Sequence, residues 1–278
     1  MLLLIPLLAC KGDAAEPAVE AAPPSRRIVA VGDLHGDLEA ALAVLQLAGV
    51  VDAEGAWSGG DALLVQTGDT TDRGPRSKGV MDLVMRLEAE APKAGGEVIA
   101  LRGNHEVMNL VGDWRYVSPE DVDEFGGMEP RKAALSPDGV YGAWLASLDY
   151  VAVVDRIVFV HGGVTPEFAA MGLDALNALG PDQLGESSPI WYRGYLQDPE
   201  PEACKVLSEA LVALAAERMV VGHTTQRSGE IASRCKGRIL GIDVGISAHY
   251  GRNLAAVEFV DGDARALYPT APVDLPDP

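Results

Sequence analysis

Six short apolar runs rich in β-branched residues punctuate the chain, at residues 28–31, 63–66, 98–101, 157–160, 219–221 and 239–242. Each gives way to Gly, Asp, Asn, Arg or His, the pattern of a strand buried on both faces that opens into a polar loop. Between them, residues 37–47, 77–90 and 202–217 repeat apolar side chains at spacings of three and four, which predicts amphipathic helices. Strands separated by helices predict βαβ units, with helices on the sheet faces and functional loops at the carboxyl edge. Near the end, residues 254–260 and 264–267 flank Asp261-Gly262-Asp263, a hairpin signal that makes the sheet mixed. Residues 109–150 interrupt the pattern with Trp114, Tyr116, an acidic run over 120–124 and Gly126-Gly127. Such an insertion beside a site reads as a lid or specificity wall, or equally as a packing helix pair.

Composition narrows the class. The chain has 278 residues, 48% of them apolar, enough for a sizeable core. Acidic residues outnumber basic ones 41 to 22, for a net charge of −19, which argues against nucleic acid as a partner. Residues 1–10 read Met-Leu-Leu-Leu-Ile-Pro-Leu-Leu-Ala-Cys, too short to span a bilayer and similar to a signal segment ending in a lipoprotein cleavage box. No Lys or Arg precedes the apolar run. The expectation is export: residues 1–9 removed, Cys10 lipidated and attached to a membrane, residues 10–25 a flexible tether, and the protein a bacterial cell-envelope lipoprotein facing the periplasm. A catalytic domain is expected over 26–270 and a tail over 271–278. In an oxidising compartment Cys204 and Cys235 are expected to form a disulfide, worth about 3–4 kcal/mol in the chain-entropy model, with reduced buried thiols as the alternative.

The chemistry lies in five short motifs at the strand ends: Gly32-Asp33-Leu34-His35-Gly36, Gly68-Asp69-Thr70-Thr71-Asp72-Arg73-Gly74, Gly103-Asn104-His105-Glu106, His161-Gly162-Gly163 and Gly222-His223-Thr224. They hold four of the five histidines. Hard donors delivered onto one rim suit two neighbouring divalent cations that cleave a phosphate ester. Asp33 and His35, one residue apart, can face the same side of an extended loop and chelate one cation. The two oxygens of Asp69 can bridge two cations about 3.5–4 Å apart. Asn104 offers the second cation a neutral oxygen, and His161 and His223 reach it from separate loops. His105, beside Asn104 in what reads as an extended segment, is expected to point the other way and donate a proton to the leaving oxygen. Asp72 would orient that histidine, Arg73 offers a planar fork to phosphoryl oxygens, and Glu106 reads as a helix cap.

The ordered set of motifs resembles the calcineurin-like metallophosphoesterases, and the Asp-Arg-Gly and Asn-His-Glu forms resemble the phosphoprotein phosphatases within them. Residues 77–116, Pro189-Ile190-Trp191-Tyr192-Arg193-Gly194 and Gly241-Ile242-Asp243-Val244-Gly245-Ile246-Ser247 are similar to the bacterial-like branch called Shewanella-like phosphatases. The resemblance covers about residues 27–268. It implies an α/β fold, a four-layer αββα sandwich with two central mixed sheets, and two divalent metal ions (Mn, Fe or Zn). Asp33, His35 and Asp69 would hold one ion; Asp69, Asn104, His161 and His223 would hold the other. Arg73 and Arg193 would grip phosphate, Tyr250 would stand near the metals, and His105 with Asp72 would protonate the leaving group. His249 has no spacing that makes it a ligand. A bridging water, acidified by two cations, would attack phosphorus as hydroxide without a covalent enzyme intermediate. The substrate would be a phosphorylated protein or peptide (phosphotyrosine or phosphoserine/threonine) or a small phosphoester, with a phosphopeptide or small aryl phosphate first, and the acidic surface would favour basic flanks. A dinucleotide polyphosphate hydrolase and a phospholigand-binding envelope lipoprotein are the alternatives.

Overall fold

The computed structural model describes residues 26–278. The signal segment, the lipidated Cys10 and the tether expected over 1–25 lie outside the described residues. Among those described, the strands are β1 (Ile28–Val31), β2 (Leu63–Gln66), β3 (Glu97–Ala100), β4 (Val151–Val154), β5 (Ile157–Val160), β6 (Arg218–Val221), β7 (Ala232–Arg234), β8 (Ile239–Gly241), β9 (Ala256–Val260), β10 (Asp263–Leu267) and β11 (Val273–Asp274). They form one sheet in the order β11-β10-β9-β1-β2-β3 and another in the order β4-β5-β6-β8-β7. In the first, β1, β2 and β3 run parallel and β9 antiparallel to β1. In the second, β5, β6 and β8 run parallel between antiparallel edges. Both sheets are mixed.

The all-apolar strands explain the layering. Residues buried on both faces need cover on both, and Phe159 of β5 meets Phe259 of β9 edge to face at 6.1 Å, joining the sheets. The same apolar cluster takes in Val44 and Leu45 of α1 (Leu38–Leu47) and Val80 and Leu87 of α2 (Ser77–Glu90). On the second sheet, Val158, Met219, Val221 and Ile239 pack with Leu207, Ala210 and Leu211 of the helix Glu200–Ala213. Each such fully buried side chain contributes roughly 1.5–3 kcal/mol. The result is helix, sheet, sheet, helix.

Several local expectations needed correction. β3 starts one residue earlier than the apolar run and is not buried on both faces; Glu97 is exposed because no strand lies beyond β3. Two further strands join the six runs: β7, Ala232-Ser233-Arg234, carries no apolar signal, whereas β4 is itself the apolar run Val151-Ala152-Val153-Val154 and turns into β5 through Asp155-Arg156, with φ of 47° and 64° and no glycine. Asp261-Gly262 makes the expected hairpin turn with φ of 54° and 93°. The segment read as a tail contributes β11, with Val273 opposite Ala266. Asp37 caps α1, its carboxylate accepting from Ala40 N at 3.0 Å.

Residues 109–150 form more than a helix pair, and Tyr116 among them lines the cavity described below. After α3 (Asn104–Leu110) come three short helices, α4 (Pro119–Glu124), α5 (Met128–Ala134) and α6 (Val140–Ser147). Leu135, Tyr141, Trp144 and Leu145 from this stretch pack against Met81 and Val84 of α2. Cys204 and Cys235 are disulfide-bonded, with Cα atoms 5.4 Å apart, so the neighbouring Glu200 sees no free thiolate. Among the described residues no helix is long and apolar enough to cross a membrane.

Register sets up the site. Val31 is level with Gln66, and Gln66 with Ala100; Val160 is level with Val221, and Val221 with Gly241. The loops that follow those strands therefore leave from aligned carboxyl ends.

Candidate active site

Two of the motif glycines are present because the loops touch. A Cβ on Gly103 would lie 2.3 Å from Asp69 Oδ1, and one on Gly222 would lie 2.3 Å from Asp33 Oδ1. Any larger residue would push apart the two loops in each pair. Glu106 then ties the first-sheet loops: its Oε2 accepts from Gly103 N at 2.8 Å and Asp69 N at 2.7 Å, and its Oε1 from Thr70 N at 2.8 Å. The expected cap is thus also a clamp on the Asp69 loop. Of the twelve described non-glycine residues with positive φ, five are His35, Asp69, Asp72, Arg73 and His223. Backbone strain is concentrated where these side chains must be aimed.

Asp69 Oδ2 is the centre. It lies 3.7 Å from His35 Nε2, 3.9 Å from His105 Nε2 and 3.3 Å from His161 Nε2. Asp33 Oδ2 is 3.8 Å from the same His35 nitrogen, and both its oxygens accept from His223 N at 3.1 Å. His161 Nδ1 donates to Thr67 O at 2.9 Å, which leaves the lone pair on Nε2. That lone pair faces Asn104 Oδ1 at 3.0 Å and His223 Nδ1 at 3.1 Å. His35 Nδ1 likewise faces Thr71 O at 3.3 Å, turning Nε2 toward Asp33 and Asp69. Acceptors converging on acceptors, with His223 Nε2 and Asp243 Oδ2 buried without hydrogen-bond partners, form a donor set for cations rather than a self-sufficient network.

The electrostatics agree. Burial and then the neighbouring Asp243 hold Asp33 well above the usual carboxylate range, and burial also raises Asp243. Burial works against ionised Asp69, yet protonated His161 and His105 bring it well below that range. Burial opposes the charge on His161 in turn, but Asp69 raises it, and that proton on Nε2 is the one a bound cation would displace. Burial drives His35 down to about 3 and His223, with help from His161, to about 2, so both rings stay neutral and can ligate. The residues fit two divalent ions: Asp33, His35 and Asp69 can hold one, and Asp69, Asn104, His161 and His223 the other.

His105 behaves differently. Asn104 and His105 open α3 instead of lying in an extended segment, so they diverge by the helical step of about 100° and not by alternation. His105 Nδ1 donates to Asp72 Oδ2 at 2.7 Å. Burial opposes its charged form, but Asp69 and then Asp72 outweigh it and hold the imidazolium above its ordinary range. Sequence reasoning missed what stands behind Asp72. Asp72 Oδ1 accepts from Asn109 at 3.0 Å and from Arg131 at 3.2 Å, while Arg131 also donates to Asp121 at 2.8 Å and Asn109 Oδ1 at 2.8 Å. Arg131 is fully buried on α5. No local pattern around Arg131 announces this, because its partners sit 10, 22 and 59 residues away.

His35, Asp69, Asn104, His105 and His223 line a cavity of about 180 Å³. Arg73 enters it with its guanidinium 3.7 Å from the Tyr116 ring centre, its own N–H bonded to Tyr116 O, and its Nε buried without a partner. Arg193 leans on the His223 carbonyl from the opposite wall. Tyr250 stacks 4.9 Å from His35, and Trp191 stands edge to face with His223 at 5.4 Å. His249 touches Tyr250 but lies outside this cavity. Larger hollows, about 480 and 510 Å³, lie near the C-terminal strands and contain no histidine.

Residues 26–249 match the family described as calcineurin-like phosphoesterase. The chain is 38% identical over 264 residues to an uncharacterized protein of Schizosaccharomyces pombe, covering 86% of this chain and 79% of that one. It is 32% identical over 280 residues to Shewanella-like protein phosphatase 2 of Arabidopsis thaliana, covering 80% and 71% of the two. The crystal structure of a cold-active protein-tyrosine phosphatase from a psychrophilic Shewanella is similar with a TM-score of 0.80 at 27% identity, over 90% of this chain and 80% of its own. The metal-suited rim, the paired histidine and aspartate and the two cavity arginines thus sit on a fold whose family is known: the chain belongs to the calcineurin-like phosphoesterases and is a metal-dependent phosphatase.

Proposed function

We propose that this phosphatase acts on phosphorylated protein segments, phosphotyrosine first, with Mn, Fe or Zn at the rim. The observation that carries the reading is the His105–Asp72 pair facing Asp69 Oδ2 in a cavity that also holds Arg73 and Arg193. Two bound divalent cations supply the Lewis acidity that activates water and neutralises phosphoryl charge. The protein does the rest. Arg73, braced flat against Tyr116, and Arg193, braced on the His223 loop, receive the non-bridging oxygens. Asp72 holds the Nδ1–H of His105, so Nε2 carries the proton toward the departing oxygen. Tyr116, Trp191 and Tyr250 wall the cavity and offer flat faces to an aryl leaving group. The relatives support a protein substrate, since two are named for protein and protein-tyrosine dephosphorylation.

The test is a substrate panel on the purified chain with each metal: a phosphotyrosine peptide, a phosphoserine peptide, an aryl phosphate and diadenosine tetraphosphate. The phosphotyrosine peptide and the aryl phosphate should be turned over fastest. Preferential cleavage of the dinucleotide would overturn the reading in favour of a polyphosphate hydrolase.

A further inference from the structure

The catalytic cavity does not end at Tyr250. A second hollow, about 390 Å³, is lined by Thr225, Arg227, His249 and Tyr250, and Thr225 and Tyr250 are also walls of the catalytic cavity. The two hollows adjoin at Thr225 and Tyr250, and taken together they are one trough. Its sign is opposite to that of the molecule: the chain carries −19, yet three arginines, Arg73, Arg193 and Arg227, line the two hollows against one carboxylate, Asp69. His249, its pKa lowered by burial and then by Arg73, adds a ring N–H donor.

Arg227 is unusual in another respect. Among the described residues the exposed arginines 76, 86, 115, 156, 252 and 265 each pair with a carboxylate of the protein. Arg227 is exposed too and pairs with none, although the chain has 41 acidic residues to choose from. A guanidinium left free at the wall of a concave site, beside an imidazole and next to the phosphoryl clamp, is a receptor for a planar or tetrahedral anion. The negative charge elsewhere is no obstacle, because charges farther than about 8 Å are largely screened at physiological salt.

We propose that Arg227 and His249 form a second anionic subsite, which seats a carboxylate or a second phosphate flanking the phosphoester held by Arg73 and Arg193. The inference rests on the phosphatase reading and deepens it: the preferred substrate is an acidic or doubly phosphorylated segment, not the basic one that net charge alone suggests.

The metal-loaded full chain is assayed at low and physiological salt on phosphotyrosine peptides whose flanks are neutral, aspartate-rich, phosphoserine-containing or lysine-rich, with an aryl phosphate as a small reference. The acidic peptides should exceed the neutral one in kcat/KM by about two- to fivefold, carried by KM and shrinking with salt. Arg227→Gln should bring the ratio of acidic to neutral close to one, and Arg227→Glu should turn preference toward lysine. A stronger aspartate arm assigns the subsite to carboxylates, and a stronger phosphoserine arm to a second phosphate. A wild type indifferent to flanks, or a preference that survives both Arg227 variants, overturns the proposal while turnover of the aryl phosphate leaves the phosphatase reading standing. Absence of aryl phosphate turnover in the wild type overturns that reading and the subsite together.

Discussion

Asp69 and Asp72 stand three residues apart on one loop, both buried, and are kept there by opposite means. Asp69 belongs to the rim, where imidazoles and an amide oxygen turn lone pairs toward one point. Asp72 belongs with the insertion, where Arg131, Asn109 and His105 meet its oxygens with N–H donors. The first arrangement is built to be completed by cations and the second is already complete. A buried carboxylate is tolerated only when its charge is answered. The loop between the two residues therefore joins a cation-binding half to a half whose charges the protein itself pairs.

The sharpest way to break this contrast is Asp69→Asn. Removing the charge at the centre of the rim should cut turnover on the order of 10³-fold or more, since Asp69 is the one carboxylate placed to serve both proposed ions. The purified variant should lose bound metal by elemental analysis and keep the circular dichroism of the wild type. Full metal content together with wild-type turnover would show that Asp69 is not the centre of the rim.

Arg131→Met tests the other half. It strands Asp72 and Asp121 in the interior without their cation, and breaking a buried pair from one side typically costs about 3–5 kcal/mol. Urea unfolding should show a midpoint well below that of the wild type at neutral pH. Arg131→Lys, which restores charge without the planar fork, should recover part of the loss. In the folded fraction the rim should still load metal, because Arg131 donates to no rim residue. Equal stability of Arg131→Met and wild type would reduce α5 to surface packing.

The same contrast explains what could be seen in the sequence. The rim was legible because metal chemistry demands particular donors, and strand ends put them in short motifs such as Asp33-Leu34-His35 and Asn104-His105. Arg131 was not, since a buried arginine looks like any helix-surface arginine until Asp72 and Asp121 are placed around it. The central strands were legible from burial on both faces. β4, Val151 to Val154, is as apolar and β-branched as β5, but its turn to β5 uses Asp155-Arg156 at positive φ instead of the glycine that marks such turns, so the hairpin itself is not announced. His105 shares the cavity with Asn104 instead of pointing away from it, because the two open a helix, where neighbours diverge by about 100° and not by the alternation of a strand.

The smallest effect sits at the outer seam of the insertion, where Trp144 Nε1 of α6 donates to Glu88 Oε2 of α2 at 2.9 Å. Burial raises the Glu88 pKa above its value of 4.5, and the Trp144 hydrogen bond only partly opposes it. A carboxyl whose folded pKa is raised favours the folded state while protonated, so that contribution is present below pH 4.5 and is lost as pH rises through the folded pKa. Glu88→Gln keeps an acceptor for the indole and removes the charge. Its Tm should match that of the wild type in acid and exceed it above the Glu88 pKa by about 1–2 °C, small because the half-buried group is screened by solvent. Thermal scans between pH 4 and 8 decide it. A difference that stays flat with pH, or that favours the wild type at neutral pH, would mean that the ionised carboxylate strengthens the seam. The insertion would then be held at both its centre and its edge by answered charges.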